Sequence, residues 1–235
     1  MTGYSRSGRR TLMKIDKVEL STWQHAREWC DHHGVIKPSY AELINSRAYP
    51  PHAFSMGQLC SKFWMLEWLD ALNVRSPHTV AILGSWIGSF VSHLHDRYTI
   101  TRTYGIDCDA HSVELSEQFN QQLVQQDWSY KGVVADVNQL DCAHMQFETG
   151  GELIEVTPNW IINTSAEHMS TDWFHTVRSD QLIIMQTNSN PELEGHINTV
   201  HSVQQLTAQF PMSKPLMVGE MCMPTYTRYM QIGYR

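Results

Sequence analysis

The stretch from Thr79 to Asp109 constrains the fold of this chain more than any other. It opens with an apolar, β-branched run, Thr79–Leu83, which is typical of a buried strand. Gly84 and Gly88 interrupt this run, and apolar residues at helical spacing follow. A second strand-like run then ends at Asp107. This order predicts a strand, a glycine turn, a helix and a second, parallel strand.

A strand–helix–strand unit with a glycine turn is a frequent binding site for nucleoside-like ligands. Glycine lets the backbone approach a ligand closely, and the helix N-terminus offers free N–H donors. Asp107 lies about 20 residues beyond the turn, where an acid is suited to the two hydroxyls of a ribose. An ordinary strand–helix turn without a ligand is the alternative interpretation of the same residues.

The glycine motif differs from the fingerprint of dinucleotide-binding proteins. That fingerprint reads G-x-G-x-x-G, whereas here Trp86 occupies the position of the middle glycine, between Gly84 and Gly88. The pyrophosphate of a dinucleotide needs the close approach that the middle glycine permits. We therefore expect a nucleoside ligand without phosphates, such as S-adenosylmethionine.

Composition narrows the class of protein. A formal charge of −7 over 235 residues disfavours a broad nucleic-acid-binding face, although a local basic groove stays compatible with it. The five cysteines are scattered without a C-x-x-C pair, which is typical of a reducing cytosol, and we expect a cytoplasmic protein. The 13 histidines include no H-E-x-x-H spacing, so no metal site is predicted. The sequence has no apolar run of transmembrane length, and it does not indicate an oligomeric state.

The order of the patterns predicts three regions. Residues 1–13 are rich in serine and arginine and are expected to form a disordered tail. Residues 14–55 are expected to form a helical cap or extension, with one helix from about Trp23 to His33 and another beginning near Pro38. Residues 56–235 are expected to form an α/β domain of about five strand–helix units that ends in a β-hairpin.

Polar residues follow several strands of the predicted sheet. Asp136 ends the third strand, Asn163 ends the fourth, and the polar run 186–190 follows the fifth. The carboxyl ends of parallel strands share one edge of the sheet, where ligands bind in open α/β folds. Asp136 is well placed to accept a hydrogen bond from an exocyclic amine such as that of adenine. Its alternative role is to cap the turn that follows.

At these positions the chain resembles class I S-adenosylmethionine-dependent methyltransferases, and the resemblance covers roughly residues 56–235. More narrowly, it looks like a methyltransferase-like group from phages and bacteria with the patterns G-Q-x-x-S-K-x-W-L and N-T-S-x-E-H. The matching segments are Gly57–Met65, Ala81–Gly88, Tyr104–Asp107, Val134–Asp136, Trp160–His168 and the terminal hairpin. The resemblance implies a doubly wound, mostly parallel sheet of seven strands with an antiparallel terminal hairpin.

The resemblance also implies S-adenosylmethionine as the cofactor and assigns roles to individual residues. The implied cofactor-binding residues are Gly84, Ser85, Trp86, Gly88, Asp107, Asp109, Asp136 and Asn163. Glu167 and His168 follow the fourth strand and are candidate bases, and Lys62 is a third candidate catalytic residue. The plain structural alternatives are a helix-terminal charge, a loop histidine and a solvated lysine, respectively. Further candidates for the acceptor pocket, each with a structural alternative, are His196, Glu220, Tyr226 and Arg228.

Departures from the family pattern leave other functions open. Ile82 stands where the family usually has an acid, and the middle glycine is replaced by Trp86. The D/N-P-P-Y/F motif of amino-group DNA methyltransferases and the Pro-Cys motif of cytosine methyltransferases are absent. We therefore expect a small-molecule or peptide acceptor, not a nucleobase. The alternatives are a binding or scaffold protein with a degenerate cofactor site, and an enzyme that uses another part of S-adenosylmethionine.

Overall fold

A large mixed β-sheet with helices on both faces organises the chain. The computed structural model describes residues 13–35, 45, 48–149, 151–192 and 195–235. The predicted tail, residues 1–13, lies outside the described residues except for Met13, and so does most of the helix expected to begin near Pro38.

The elements of the described chain have the following bounds. The strands are β1 (Lys14–Glu19), β2 (Thr79–Leu83), β3 (Arg102–Asp107), β4 (Tyr130–Val134), β5 (Met145–Thr149), β6 (Glu152–Val156), β7 (Trp160–Asn163), β8 (Leu182–Asn188), β9 (Lys214–Cys222) and β10 (Thr227–Tyr234). The α-helices are α1 (Trp23–His32), α2 (Met56–Ala71), α3 (Val91–Arg97), α4 (Ala110–Phe119), α5 (Gln121–Gln125), α6 (Asp172–Thr176) and α7 (Val203–Gln209). Short 3₁₀ helices span Pro51–Phe54, Val137–Gln139 and Ala166–His168.

The main sheet has eight strands in the order β1-β9-β10-β8-β7-β2-β3-β4. The five strands from β8 to β4 are parallel to one another. β10 is antiparallel to both β8 and β9, and β1 is parallel to β9. β5 and β6 form a separate antiparallel hairpin. The predicted α/β fold, mostly parallel with an antiparallel terminal hairpin, is confirmed, and β1 adds an eighth strand to the seven expected.

The side chains of β2 explain why both faces of the sheet are covered. Val80 and Ile82 belong to one hydrophobic core, which α1, α2 and α3 complete. Ala81 and Leu83 belong to a second core with α6 and α7. Successive side chains of a strand point to opposite faces, so a strand that is buried along its length needs cover on both sides. None of the described helices is long and apolar enough to cross a membrane.

Two element boundaries have a local cause. The helical segment after β3 is divided into α4 and α5 at Asn120, whose backbone leaves the helical conformation with φ −100° and ψ 25°. The Asn120 side chain donates to two backbone carbonyls at this break. β8 extends through the polar residues 186–188, which were expected to follow it, because Asn188 pairs with Arg228 of β10.

The N-terminal segment, residues 14–55, contributes a strand to the main sheet as well as helix to its cover. β1 pairs with β9 along its length, and α1 packs against α2. Asp16 of β1 accepts hydrogen bonds at Oδ2 from the indole N–H groups of Trp64, at 2.7 Å, and Trp68, at 2.6 Å. The Asp16 carboxylate thus links the edge strand β1 to α2 by two hydrogen bonds.

We predict that Asp16→Ala lowers the free energy of unfolding by about 1–3 kcal/mol, because the buried indole N–H of Trp64 loses its acceptor. Glu19→Ala, on the same strand, is the matched control. Glu19 forms an exposed ion pair with Lys17 that solvent screens, so its loss should leave the free energy of unfolding nearly unchanged. Urea denaturation of both variants measures the difference, and equal losses would contradict the role given to Asp16.

Candidate active site

A cleft of about 920 Å³ opens at the carboxyl edge of the sheet. Its lining includes the turn after β2, the ends of β3 and β4, the loops after β7 and β8, the N-terminal part of α2 and the turn before β10. Ligands bind at this edge in open α/β folds, so the cleft is the candidate active site. The predicted site residues that line it are Lys62, Gly84, Ser85, Trp86, Asp107, Asp136, Glu167 and His168.

The turn after β2 keeps a left-handed backbone at the position of the missing glycine. Gly84, Trp86 and Gly88 have positive φ angles of 64°, 49° and 59°. A tryptophan in this conformation is strained by about 1–2 kcal/mol, a cost that glycine avoids. The Trp86 amide donates to Oδ2 of Asp107 at 2.8 Å, and its indole ring stacks on His52. The turn predicted from two glycines is therefore formed with Trp86 in the middle.

The two acids at the ends of β3 and β4 both line the cleft and both retain acceptor capacity. Asp107 accepts from Trp86 at Oδ2 and from the Asp109 amide at Oδ1, at 3.1 Å. Asp136 accepts at Oδ1 from the backbone and side-chain nitrogens of Asn138. Each oxygen of an ionised carboxylate has room for more than one donor. Asp136 thus fills its alternative role as a cap and still faces the cleft.

Three predicted cofactor residues do not line the cleft. Gly88 faces away from the cleft, and a side chain there would collide with Asn120 and the Tyr130 hydroxyl. Asp109 is exposed and caps α4, because its side chain accepts hydrogen bonds from the first amides of this helix. Asn163 is fully buried and accepts from the Ser165 amide at 3.0 Å, which shapes the loop after β7. These residues support the site from outside it.

Lys62 is buried at the side of the cleft, so the interpretation as a solvated lysine does not hold. The residue is 8% exposed, and its Nζ donates to Ser89 Oγ at 3.1 Å. Among the described residues no carboxylate pairs with it. Burial lowers the pKa of Lys62 to about 7, and the nearby Arg228 guanidinium adds to this effect. The lysine is thus a buried base with room for an anionic partner.

Glu167 and Arg228 form an ion pair inside the cleft. They are 3% and 4% exposed, and Arg228 Nη1 lies 3.5 Å from Glu167 Oε1. Asn188 Nδ2 donates to the same oxygen at 2.6 Å. Lys62, Glu167 and Arg228 are the three buried lysine, arginine, aspartate or glutamate residues of the described chain. The cleft lining therefore combines the basic groups of Lys62 and Arg228 with the carboxylates of three acids, Asp107, Asp136 and Glu167.

His168 and His196 lie beside Glu167. Their ring centroids are 4.5 Å apart in an edge-to-face arrangement. The amides of Ile197 and Asn198 both donate to the Glu167 carbonyl, which holds the loop after β8 against the turn after β7. Three of the four further candidates for the acceptor pocket line the cleft, namely His196, Tyr226 and Arg228. The fourth, Glu220, lies elsewhere and pairs with Lys17 of β1.

Trp23 and His52 also line the cleft, and the sequence analysis did not single them out. Both belong to the N-terminal segment, residues 14–55. Neither follows a strand or lies in a motif, so no local signal marks them. Their position depends on how the segment packs over the sheet, which is a tertiary property.

Comparison with known proteins supports the fold. No protein-family profile and no curated protein matches this sequence. A geranyl diphosphate methyltransferase solved with S-adenosylmethionine matches with a TM-score of 0.56 and 15% identity, over 87% of this chain and 95% of that one. The magnesium protoporphyrin IX methyltransferase ChlM of Synechocystis PCC 6803 matches with a TM-score of 0.51 and 15% identity, over 74% and 82% of the two chains. This chain has the class I methyltransferase fold.

Other proteins with the methyltransferase fold agree to different extents. The N-methyltransferase NodS of Bradyrhizobium japonicum WM9 matches with a TM-score of 0.52 and 10% identity, over 74% of this chain and 95% of that one. The match to a putative sarcosine dimethylglycine methyltransferase of Galdieria sulphuraria covers 48% of the length of that protein. At these identities the likeness extends to the fold, and the activity has to be argued from the site.

We predict that the stability of the protein rises with pH above about 7 because of Lys62. The folded chain loses the Lys62 proton near pH 7, whereas the unfolded chain keeps it until about pH 10.5. Between these values the unfolded state binds more protons, so the free energy of unfolding increases with pH, by at most about 1.4 kcal/mol per pH unit.

Urea denaturation at several pH values between 7 and 10 measures this slope. In Lys62→Met this contribution should disappear, so the stability of the variant relative to the wild type should fall as the pH rises from 7 to 10. Lys214→Met, which removes an exposed lysine, is the control and should leave the slope unchanged. Parallel curves for the wild type and Lys62→Met would contradict the prediction.

Proposed function

We propose that this chain is an S-adenosylmethionine-dependent methyltransferase acting on a small molecule or a peptide side chain. The observation that carries the proposal is the hydrogen bond from the Trp86 amide to Asp107, which joins a nucleoside-type turn to a ribose-type acid within one cleft. The fold supports it, since it is shared with methyltransferases for geranyl diphosphate and for magnesium protoporphyrin IX. The likeness to the phage and bacterial group rests on the sequence patterns.

The residues of the cleft fit this cofactor. Asp107 has free acceptor positions for the ribose hydroxyls, and Asp136 offers a carboxylate to the adenine amine. Gly84 lines the cleft in a left-handed conformation, and a side chain there would collide with Met169, so the turn needs glycine beside the place proposed for the methionine part. When bound, the cofactor supplies an activated methyl group on a sulfonium, so the protein has mainly to position the acceptor in line with it.

The sequence made Lys62 a candidate catalytic residue, and its surroundings support a binding role instead. It is a buried cation that donates to Ser89, which directly follows the glycine turn. The methionine part of the cofactor carries a carboxylate, and such a group would neutralise the lysine. We therefore assign Lys62 to cofactor binding in preference to proton transfer. A bound carboxylate raises the pKa of the lysine, so cofactor affinity falls as the pH rises above about 7.

Glu167 and His168 are the groups that we propose to activate the acceptor. His168 is exposed to the cleft, and its Nδ1 lies 3.2 Å from the carbonyl oxygen of Gly195. A carbonyl only accepts, so Nδ1 carries the hydrogen and Nε2 is free to take a proton from an acceptor. Glu167 is held by Arg228 and Asn188, which suits a positioning role.

The N-terminal segment also contributes to the cleft. Its described residues Trp23 and His52 line the cleft, which supports the role of this segment as a cap. The five cysteines are free, which favours a reducing, cytoplasmic location.

We predict that Asp107→Ala weakens binding of S-adenosylmethionine at least tenfold, or about 1.4 kcal/mol, because the ribose hydroxyls lose their acceptor. Asp109→Ala is the matched control, since this acid is exposed and outside the cleft. Its loss removes a helix cap and should lower the stability slightly, but it should leave cofactor binding within twofold.

Calorimetric titration with S-adenosylmethionine, S-adenosylhomocysteine and, as a control, NAD measures these affinities. Micromolar binding of the first two and none of NAD is expected for the wild type. Unchanged binding in Asp107→Ala would refute the ribose assignment, and no binding of any ligand to the wild type would favour the scaffold alternative.

A further inference from the structure

Three side chains of the kinds that bind metal ions meet in the cleft, although the sequence spacing gave no sign of a metal site. Glu167 and His168 belong to the 3₁₀ helix Ala166–His168, and His196 belongs to the loop after β8. One ligand atom of each lies within 4.8 Å of the other two. The loop is held at this distance by two amides that donate to the Glu167 carbonyl.

Both histidine rings are oriented by backbone carbonyls. His168 Nδ1 contacts the oxygen of Gly195 at 3.2 Å, and His196 Nδ1 contacts the oxygen of Asn190. Since a carbonyl only accepts, each ring donates through Nδ1 and keeps a lone pair on Nε2. Metal-binding histidines have this arrangement, in which a hydrogen bond at one nitrogen fixes the ring so that the other nitrogen can coordinate.

Glu167 provides an independent indication of a missing ligand. Its Oε1 contacts Asn188 and Arg228, but its Oε2 is buried and has no hydrogen-bond partner among the described residues. A buried polar atom without a partner costs about 1–3 kcal/mol, and buried carboxylates that lack one are rare in folded proteins. A cation at Oε2 would remove this cost.

We propose that Glu167, His168 and His196 bind a divalent first-row transition-metal ion. Two imidazoles and one carboxylate suit ions such as Mn²⁺ or Zn²⁺, whereas Mg²⁺ prefers ligands that are all oxygens. Three protein ligands leave coordination positions open, and all three residues line the cleft.

The open positions would take an oxygen or nitrogen atom of the acceptor. In this form the inference rests on the proposed function and specifies it, because the acceptor would be a metal-coordinating molecule such as a carboxylate or a vicinal diol. His168 would then act as a ligand and not as the base. The metal site itself does not depend on methyl transfer, so its test uses the protein without a methyl donor.

The test is calorimetric titration of the chelator-treated full chain with Mn²⁺, Zn²⁺ and, separately, Mg²⁺, with bound metal counted by elemental analysis. We expect one Mn²⁺ or Zn²⁺ per chain and at least tenfold weaker binding of Mg²⁺. His168→Ala and His196→Ala should each weaken Mn²⁺ binding at least tenfold. His201→Ala removes an exposed histidine outside the cleft and should bind as the wild type does.

The proposal is overturned if the wild type binds no Mn²⁺ or Zn²⁺, or if the His168 and His196 variants bind these ions as tightly as His201→Ala does. Visible absorption of the Co²⁺-loaded wild type gives a readout that needs no variant to fold. Intense d–d bands of a four- or five-coordinate ion support the site, and the weak spectrum of the hydrated ion contradicts it. Titration of the same samples with S-adenosylmethionine reports separately on the proposed function.

Discussion

Parallel pairing of the central strands is the constraint on which the site depends. β2 pairs in parallel with β3 and β7, so Leu83 lies beside both Ile106 and Asn163. The three segments leave the sheet at one edge, and the groups that follow them meet there. A shift of one residue would turn every side chain of a strand to the opposite face, which the two buried cores forbid. The backbone thus fixes the positions of Gly84 and Asp107.

The parts of the site that follow strands were predictable from the sequence for this reason. Gly84, Asp107 and Asp136 each follow a recognisable apolar run, and each lines the cleft. Asp109 lies two residues after Asp107 and is also an aspartate, but its side chain caps α4. The local hydrogen bonds of the cap compete with a role in the cleft. Residue type and strand order do not decide between these two roles.

The rest of the site depends on tertiary contacts that no local pattern records. Lys62 lies in a helix whose polar and apolar residues do not separate cleanly, and its burial follows from packing against the sheet. His196 is brought to Glu167 by backbone hydrogen bonds from the residues that follow it, and this loop has no sequence signature. The ion pair of Glu167 with Arg228 joins the loop after β7 to β10, so it too becomes visible only in the folded chain. Buried charges of this kind add little net stability, and the cleft keeps them at a cost that a ligand can offset.

The pairing of β1 with β9 has a consequence for how the protein is made. Lys14 is one of the first described residues to leave the ribosome, and its partner in the sheet, Met217, is among the last. The first strand therefore cannot form its pairing with β9 until β9 has been translated. The indole groups of Trp64 and Trp68 are available much earlier, and their hydrogen bonds to Asp16 can hold the strand near its final place during synthesis. The edge of the sheet forms only after β9 has been made, so a nascent chain truncated before β9 cannot complete the fold.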